Sequence, residues 1–301
     1  MKLVASISIL LLTTLPCLPQ DQGLPPALAS LVATEREFAR TSVEKGFRES
    51  FLAFFADDGI FFQPHPVKAK ENLRARPARP QTFTLNWEPI FGDISDAGDL
   101  GFTTGPFTLT STSPPNSPAQ HGCFFSIWKL QADRTWKVVL DAGISTPEAI
   151  SSSSFRAARH PHSKPEGPAA SLESERHALM ELDRELLKTV KKIGLIGAFW
   201  TIFDEEARLH RDGFIPKVGK ESIRGFLAQK AFEVSWEPIA SDISKSADLG
   251  YTYGRYEAAE PGDASTRKVG RGYYVRVWRR DASRRWKLLL DTVSPVPPED
   301  K

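Results

Sequence analysis

Trp87-Glu88-Pro89-Ile90-Phe91-Gly92-Asp93-Ile94-Ser95-Asp96-Ala97-Gly98-Asp99-Leu100-Gly101-Phe102-Thr103-Thr104-Gly105 recurs further along as Trp236-Glu237-Pro238-Ile239-Ala240-Ser241-Asp242-Ile243-Ser244-Lys245-Ser246-Ala247-Asp248-Leu249-Gly250-Tyr251-Thr252-Tyr253-Gly254, and 12 of the 19 paired positions are identical. The match extends in both directions. Trp136-Lys137-Val138-Val139-Leu140-Asp141 answers to Trp286-Lys287-Leu288-Leu289-Leu290-Asp291, and Glu35-Arg36-Glu37 to Asp183-Arg184-Glu185. The offset stays between 148 and 150. One domain of roughly 120 residues is therefore present twice, which is not a short-period solenoid. The copies are residues 28–146 and 171–294. Residues 147–170, with four consecutive serines from Ser151 to Ser154 and Pro147, Pro161, Pro165 and Pro168, read as a flexible linker.

Ahead of the first copy, Lys2 precedes an apolar run from Leu3 to Leu15, and Pro16-Cys17-Leu18-Pro19 breaks it. Residues 1–20 read as a secretory signal peptide, short of the ~20 apolar residues of a membrane span. The expected destination is the periplasm or the exterior, with membrane contact only if the segment is retained. Removing it takes Cys17 away and leaves Cys123 in the apolar stretch Cys123-Phe124-Phe125-Ser126-Ile127-Trp128, where a buried, inert thiol is expected. Two cysteines exclude a disulfide scaffold and a thiolate zinc site. Lys+Arg at 39 against Asp+Glu at 37 is too balanced for a dedicated nucleic-acid binder, so no nucleic-acid partner is expected. No phosphate-cradling glycine loop and no Gly-x-Ser-x-Gly is present, and the six histidines, including His160 and His162 of the linker, are scattered. Asp57-Asp58 and Asp204-Glu205-Glu206 read as solvated turns. No metal site and no cofactor is expected.

Within each copy, helices come before strands. Leu28, Leu31, Val32, Glu35 and Phe38 fall at helical spacing, as do Leu179, Leu182, Leu186 and Val190. Shorter helices follow at Arg48 to Phe55 and Leu195 to Phe203, then at Lys70 to Arg74 and Lys220 to Leu227. Four strands close each copy, at about 83–94, 99–110, 121–130 and 135–143, and at about 232–243, 248–258, 268–279 and 285–293. Alternation puts Tyr274, Arg276 and Trp278 on one face and Tyr273, Val275 and Val277 on the other. Helices on one face of a curved, mostly antiparallel sheet make an α+β domain. Gly101, Thr103 and Gly105 share a strand face, as do Gly250, Thr252 and Gly254. Such a small-residue stripe leaves room for a ligand or for a closely packed helix.

Phe54-Phe55-Ala56-Asp57-Asp58-Gly59, the Trp-Glu-Pro and Asp-Leu-Gly segments and the two Trp-Lys-x-x-Leu-Asp ends together resemble the NTF2-like superfamily of cystatin-like α+β cones, and more closely the DUF4440 and SnoaL-like group of bacterial proteins. The resemblance covers nearly all of the chain after residue 28. It implies two tandem cones that pair through their sheets, with Trp87, Trp236 and Phe102 on the covered faces. It does not settle activity, because the superfamily holds isomerases, dehydratases, cyclases and association modules. Ketosteroid-isomerase-like members place a carboxylate base five residues after the second acid of Ala-Asp-Asp, just before a proline. Gln63 stands there, before Pro64, and Arg211 stands at the matching position of the second copy. Neither can take the proton. His210 and Asp212 flank Arg211 and are the remaining catalytic candidates.

The second copy is the more basic, with 22 Lys+Arg against 19 Asp+Glu, where the first has 12 against 13. Nine of the 22 lie between Arg267 and Lys287, a stretch that reads as a solvated, charged hairpin. Arg276 stands out at mid-strand, where the first copy has Ser126; if its face lines the cone, it could meet a carboxylate ligand. Tyr253, Tyr274, Trp278, Thr103 and Thr252 complete the candidate pocket for a small organic ligand. The expected function is non-catalytic small-molecule binding or interaction in the cell envelope. The alternatives are an isomerase-, dehydratase- or cyclase-type site in the second copy and a purely structural pair filled by aromatics. A cone volume under ~300 Å³ would favour the structural pair over the enzyme.

Overall fold

The computed structural model describes residues 23–77, 80–114, 117–159, 171–229, 233–259 and 269–297. The signal segment 1–20, the linker stretch 160–170 with His160 and His162, and Arg267 lie outside the described residues.

In the first copy the amphipathic helices α1 (Pro26–Lys45) and α2 (Phe47–Phe54) are separated by Gly46, which holds φ +94°. Strand β1 (Phe55–Phe62), the short β2 (Pro66–Lys68) and helix α3 (Ala69–Ala75) follow. Then come β3 (Phe83–Trp87), β4 (Phe91–Ile94), β5 (Leu100–Ser111), β6 (Gln120–Leu130) and β7 (Trp136–Thr146). The sheet order is β2-β1-β7-β6-β5-β4, with β3 also on β5. Pairing is antiparallel except between β1 and β7 and at the β4 edge. The stretch expected as one strand at 83–94 is broken at Glu88-Pro89-Ile90. The linker is not free throughout: β8 (Arg156–Ala157) adds to the edge of β4, and Phe155 is buried beside it.

The second copy repeats this plan. A single helix α4 (Leu172–Ile202) is interrupted at Gly194, φ +79°, at the position of Gly46, so the two expected helices meet at a kink. Strands β9 (Phe203–His210) and β10 (Lys217–Val218), helix α5 (Lys220–Ala228), then β11 (Glu233–Ile243), β12 (Leu249–Ala259), β13 (Val269–Arg280) and β14 (Trp286–Val296) complete it, in the order β10-β9-β14-β13-β12-β11.

Each sheet curls around its helices and buries an aromatic core inside the cone. Leu31, Phe38, Phe55, Trp87 and Trp128 form the first, and Leu179, Leu186, Phe199, Trp236 and Trp278 the second. Trp87 and Trp236 are therefore inside the cones and not on the covered outer faces. The small-residue stripe serves packing. A Cβ on Gly101 would lie 2.6 Å from Leu31 Cδ2 of α1, and one on Gly250 2.9 Å from Leu179 Cδ2 of α4. The helices approach the sheets where side chains are missing.

The outer faces of the two sheets meet in a third apolar cluster, with Phe91, Leu100, Phe102, Phe125 and Ile127 from one copy and Leu249, Val275, Val277 and Leu290 from the other. Polar contacts at its rim come in reciprocal pairs. The Asp96 amide donates to Asp248 Oδ2 at 3.0 Å, and the Lys245 amide donates to Asp99 Oδ2 at 3.2 Å. Lys129 Nζ reaches Asp242 at 2.5 Å, and Arg279 Nη1 reaches Asp93 at 3.2 Å. Each pair exchanges equivalent positions of the repeat, as in a two-fold dimer in which residue i meets j and j meets i. The basic stretch of β13 is thus largely internal: Arg276 and Arg279 are buried, and Arg280 pairs with Glu175.

Candidate functional site

Each cone is open at one end. The second holds a cavity of about 270 Å³. Its walls are apolar and aromatic, among them Phe199, Phe226, Trp236, Tyr256 and Val293. Its floor is a closed charge network. Arg276 donates through Nη1 to Asp183 Oδ1 and through Nε to Asp291 Oδ2 at 2.9 Å. The Tyr274 hydroxyl donates to Asp183 Oδ2 at 2.9 Å, and the Trp236 indole to the Asp183 carbonyl at 3.0 Å. Arg211 approaches the far side of Asp291, Nη1 to Oδ1 at 2.6 Å. Two cations and two carboxylates balance. Burial works against ionising Asp291, but Arg211 and Arg276 outweigh it and hold the carboxyl below the usual carboxylate range. Burial likewise opposes the Arg276 charge, and Asp183 and Asp291 overcome it, so the guanidinium is fixed as a cation. The guanidinium is also sandwiched by the Trp236 and Tyr274 rings, 4.2 and 4.4 Å from their centroids.

The first cone keeps the carboxylates and lacks the arginine. Its cavity, about 250 Å³, is walled by Phe38, Phe47, Phe51, Trp87, Phe107 and Phe124, and Gln63 and Asp141 supply the polar lining. Glu35, fully buried on α1, accepts from Trp87 Nε1 at 2.6 Å, Trp128 Nε1 at 2.8 Å and the Thr103 hydroxyl. Burial pushes the Glu35 carboxyl up against those three donors. Asp141 matches Asp291, but Ser126 stands where Arg276 would be and donates its Oγ at 2.8 Å. Burial pushes the Asp141 carboxyl up to about 8, with the Glu35 charge adding and Ser126 opposing. An edge of Asp141 stays accessible from the cavity. A carboxyl that keeps its proton near neutral pH in an aromatic pocket can donate a hydrogen bond or a proton.

That proton has a sign in stability. The unfolded chain releases it near 3.8, the folded chain near 8. The contribution is complete below the first value and is lost as pH rises through the second, at no more than about 1.4 kcal/mol per pH unit. Glu35 shifts in the same direction. Asp141→Asn cannot ionise, so the variant is expected to gain on the unmodified protein between about pH 5 and about pH 8 in urea unfolding. Parallel pH profiles of the two proteins would refute the assignment.

The candidate residues divide. Asp212, Tyr274 and Arg276 line the second cavity together. Asp212 also accepts from the Ser145 amide of the first copy at 2.9 Å. His210 is on the opposite face of β9, buried between the copies, with Nε2 3.9 Å from Cys123 Sγ. Burial first, then the charges of Arg208 and Arg211, push its imidazole down to about 3. It stays neutral and out of the cone, which removes it as a cone base. Tyr253 packs on the interface cluster beside Phe62, because it alternates with Thr252. Trp278 donates to Thr252 at 2.9 Å, and Thr103 to Glu35, so these three are core polar pairs below the cavities. Burial raises the Cys123 thiol to about 11, and it is unreactive there. Asp57 and Glu205 are exposed strand residues paired with Lys70 and Lys220, and Glu206 takes Arg156; these acids are on strands, not in turns. Among the described residues no cluster of three metal-ligating side chains occurs. Sequence reading missed Glu35 and Asp183, Asp141 and Asp291, and the pairing of Arg211.

No family model matches the chain, and no curated protein does. Solved structures do. A ketosteroid isomerase-like protein from Erwinia carotovora atroseptica is 17% identical, with TM-score 0.35, over 40% of this chain and 96% of its own. A putative aromatic ring hydroxylase from Novosphingobium aromaticivorans is 20% identical, with TM-score 0.36, over 42% and 92%. An NTF2-like protein with a cystatin-like fold from Novosphingobium aromaticivorans is 11% identical, with TM-score 0.34, over 42% and 86%. These likenesses concern fold and carry nothing about activity. By its own topology, helices followed by a curled, mostly antiparallel sheet and the whole drawn twice, the chain is a tandem pair of α+β cones.

Proposed function

We propose that the chain is an exported, non-catalytic binding protein for small organic molecules, with the two copies docked as one unit. The observation that carries the reading is a pair of aromatic-walled cavities with fixed polar floors, in which the position of a cone base is held by Gln63 and Arg211. Both cavities fall under 300 Å³, on the side that counts against the enzyme and toward the structural pair. They are nevertheless open space, which speaks against cones filled solid. A second reading rests on Asp141 alone: a protonated acid in the first cone suits an isomerase- or dehydratase-type proton transfer, and places any such chemistry in the first copy.

Native mass spectrometry of the mature chain from an exporting host tests the first reading. A retained mass of a few hundred daltons is expected, and Ala258→Trp, which fills the second cavity, is expected to remove one occupant. A clean apo mass for the unmodified chain, together with no retention from a library of small aromatic acids, would overturn it.

A further inference from the structure

A third cavity, about 190 Å³, lies between the two copies and belongs to neither cone. Ile90 of the first copy, Ile150 of the linker, and Ile215, Pro216 and Val218 of the second give it aliphatic walls. One charge lines it. Arg208, on the outer face of β9, is nine-tenths buried, and its guanidinium stacks 3.9 Å from the centroid of Phe91 across the copy boundary. Among the described residues no acceptor is within hydrogen-bonding distance of that guanidinium, and Nε is fully enclosed without a partner. Glu206, two residues along the strand, is taken by the Arg156 side chain and by the Arg159 amide at 2.7 Å. His210, the next residue on this face, is neutral. The other buried arginines, Arg276 and Arg279, each have two or more carboxylates.

A buried cation with no counter-charge is costly, and the cavity beside it has space for one. From the single guanidinium at one end and the aliphatic walls around it, we propose that this inter-copy cavity binds a short-chain aliphatic monocarboxylate, carboxylate on Arg208 and alkyl tail among Ile90, Ile150 and Ile215. A planar fork suits a carboxylate through two parallel N–H donors. Thr104 and Cys123 also line the cavity, but the Thr104 hydroxyl is given to the Phe124 carbonyl, and a single cation suits a monoanion better than inorganic phosphate. The depressed Arg208 pKa, brought down to about 10 first by burial, fits a charge that lacks its partner.

Calorimetric titration of the full mature chain with hexanoate tests this. A saturable site is expected, with hexanol and inorganic phosphate giving none. Arg208→Gln is expected to weaken hexanoate at least about tenfold, and Ile150→Trp, which fills the space from the linker side, to abolish it. Ala258→Trp in the second cone is expected to leave it unchanged, which separates this site from the cone reading. Arg208→Gln removes an unpartnered charge, so its unfolding temperature should be no lower than that of the unmodified chain; that result shows that the variant is folded. Absence of saturable heat up to about 20 mM, where even a 1 mM site would be filled, overturns the proposal. So does hexanoate binding that both variants leave intact, because the carboxylate would then be held elsewhere.

Discussion

Arg276→Ser is expected to destabilise the protein by about 3–5 kcal/mol near neutral pH, the usual cost of removing one partner from a buried ion network. The substitution leaves Asp183 and Asp291 facing each other across the site with only Arg211 and the Tyr274 hydroxyl to balance them. One carboxyl then has to take up a proton. The first cone already stands in that state, with Ser126 in the arginine's place and Asp141 pushed up to about 8. The loss should therefore shrink as pH falls, because protonation relieves the unpaired charge, and urea unfolding at about pH 5 and about pH 8 reads it. A loss independent of pH would mean that Arg276 acts through packing against Trp236 and Tyr274, and not through charge.

Arg279→Met is expected to cost about as much, and at a different place. Its guanidinium meets Asp93 at 3.2 Å, Asp96 at 3.2 Å, Asp248 at 3.3 Å and the Ile94 carbonyl at 2.7 Å, all but Asp248 in the other copy. Removing it takes the guanidinium away from three carboxylates at the edge of the interface, two of them, Asp93 and Asp248, buried. The repeat-related Lys129–Asp242 pair provides the contrast. Lys129 keeps 35% of its side chain in solvent, so Lys129→Met should cost no more than about 1 kcal/mol. Amide exchange along Phe91–Ile94 and Leu249–Thr252 should accelerate in the arginine variant and change little in the lysine variant. Equal effects from the two would contradict the difference in burial.

Much of this architecture is legible in the residues. The duplication fixes two domains, and period-two alternation along Tyr273 to Trp278 correctly sorts the cone face from the outer face. The same rule, applied to Thr252 and Tyr253, forbids both from lining one cavity, and it already sends His210 to the outside. The polar floor is harder to read. Glu35 sits inside an apolar helical stripe, a position that signals a buried acid, yet nothing local says that its partners are Trp87, Trp128 and Thr103, which are 52 to 93 residues away. Asp141 and Asp291 end the repeated Trp-Lys-x-x-Leu-Asp segment, so they look like part of the fold signature. Only the closed sheet shows that Ser126 and Arg276 decide their charge. The break at Glu88-Pro89-Ile90 and the docking of Phe155 depend on tertiary contacts that no spacing announces.

The reciprocal contacts between the copies have an evolutionary consequence. In a dimer of identical chains every substitution is made on both sides of the axis, so a change that suits one cavity is imposed on the other and counted twice at the interface. Tethering the halves in one gene lifts that constraint. Arg276 could enter one floor while Ser126 stayed in the other, and Arg279 could be buried at one contact while Lys129 stayed half in water at its mirror position. The duplication thus keeps the geometry of a symmetric pair and lets each half answer to selection separately.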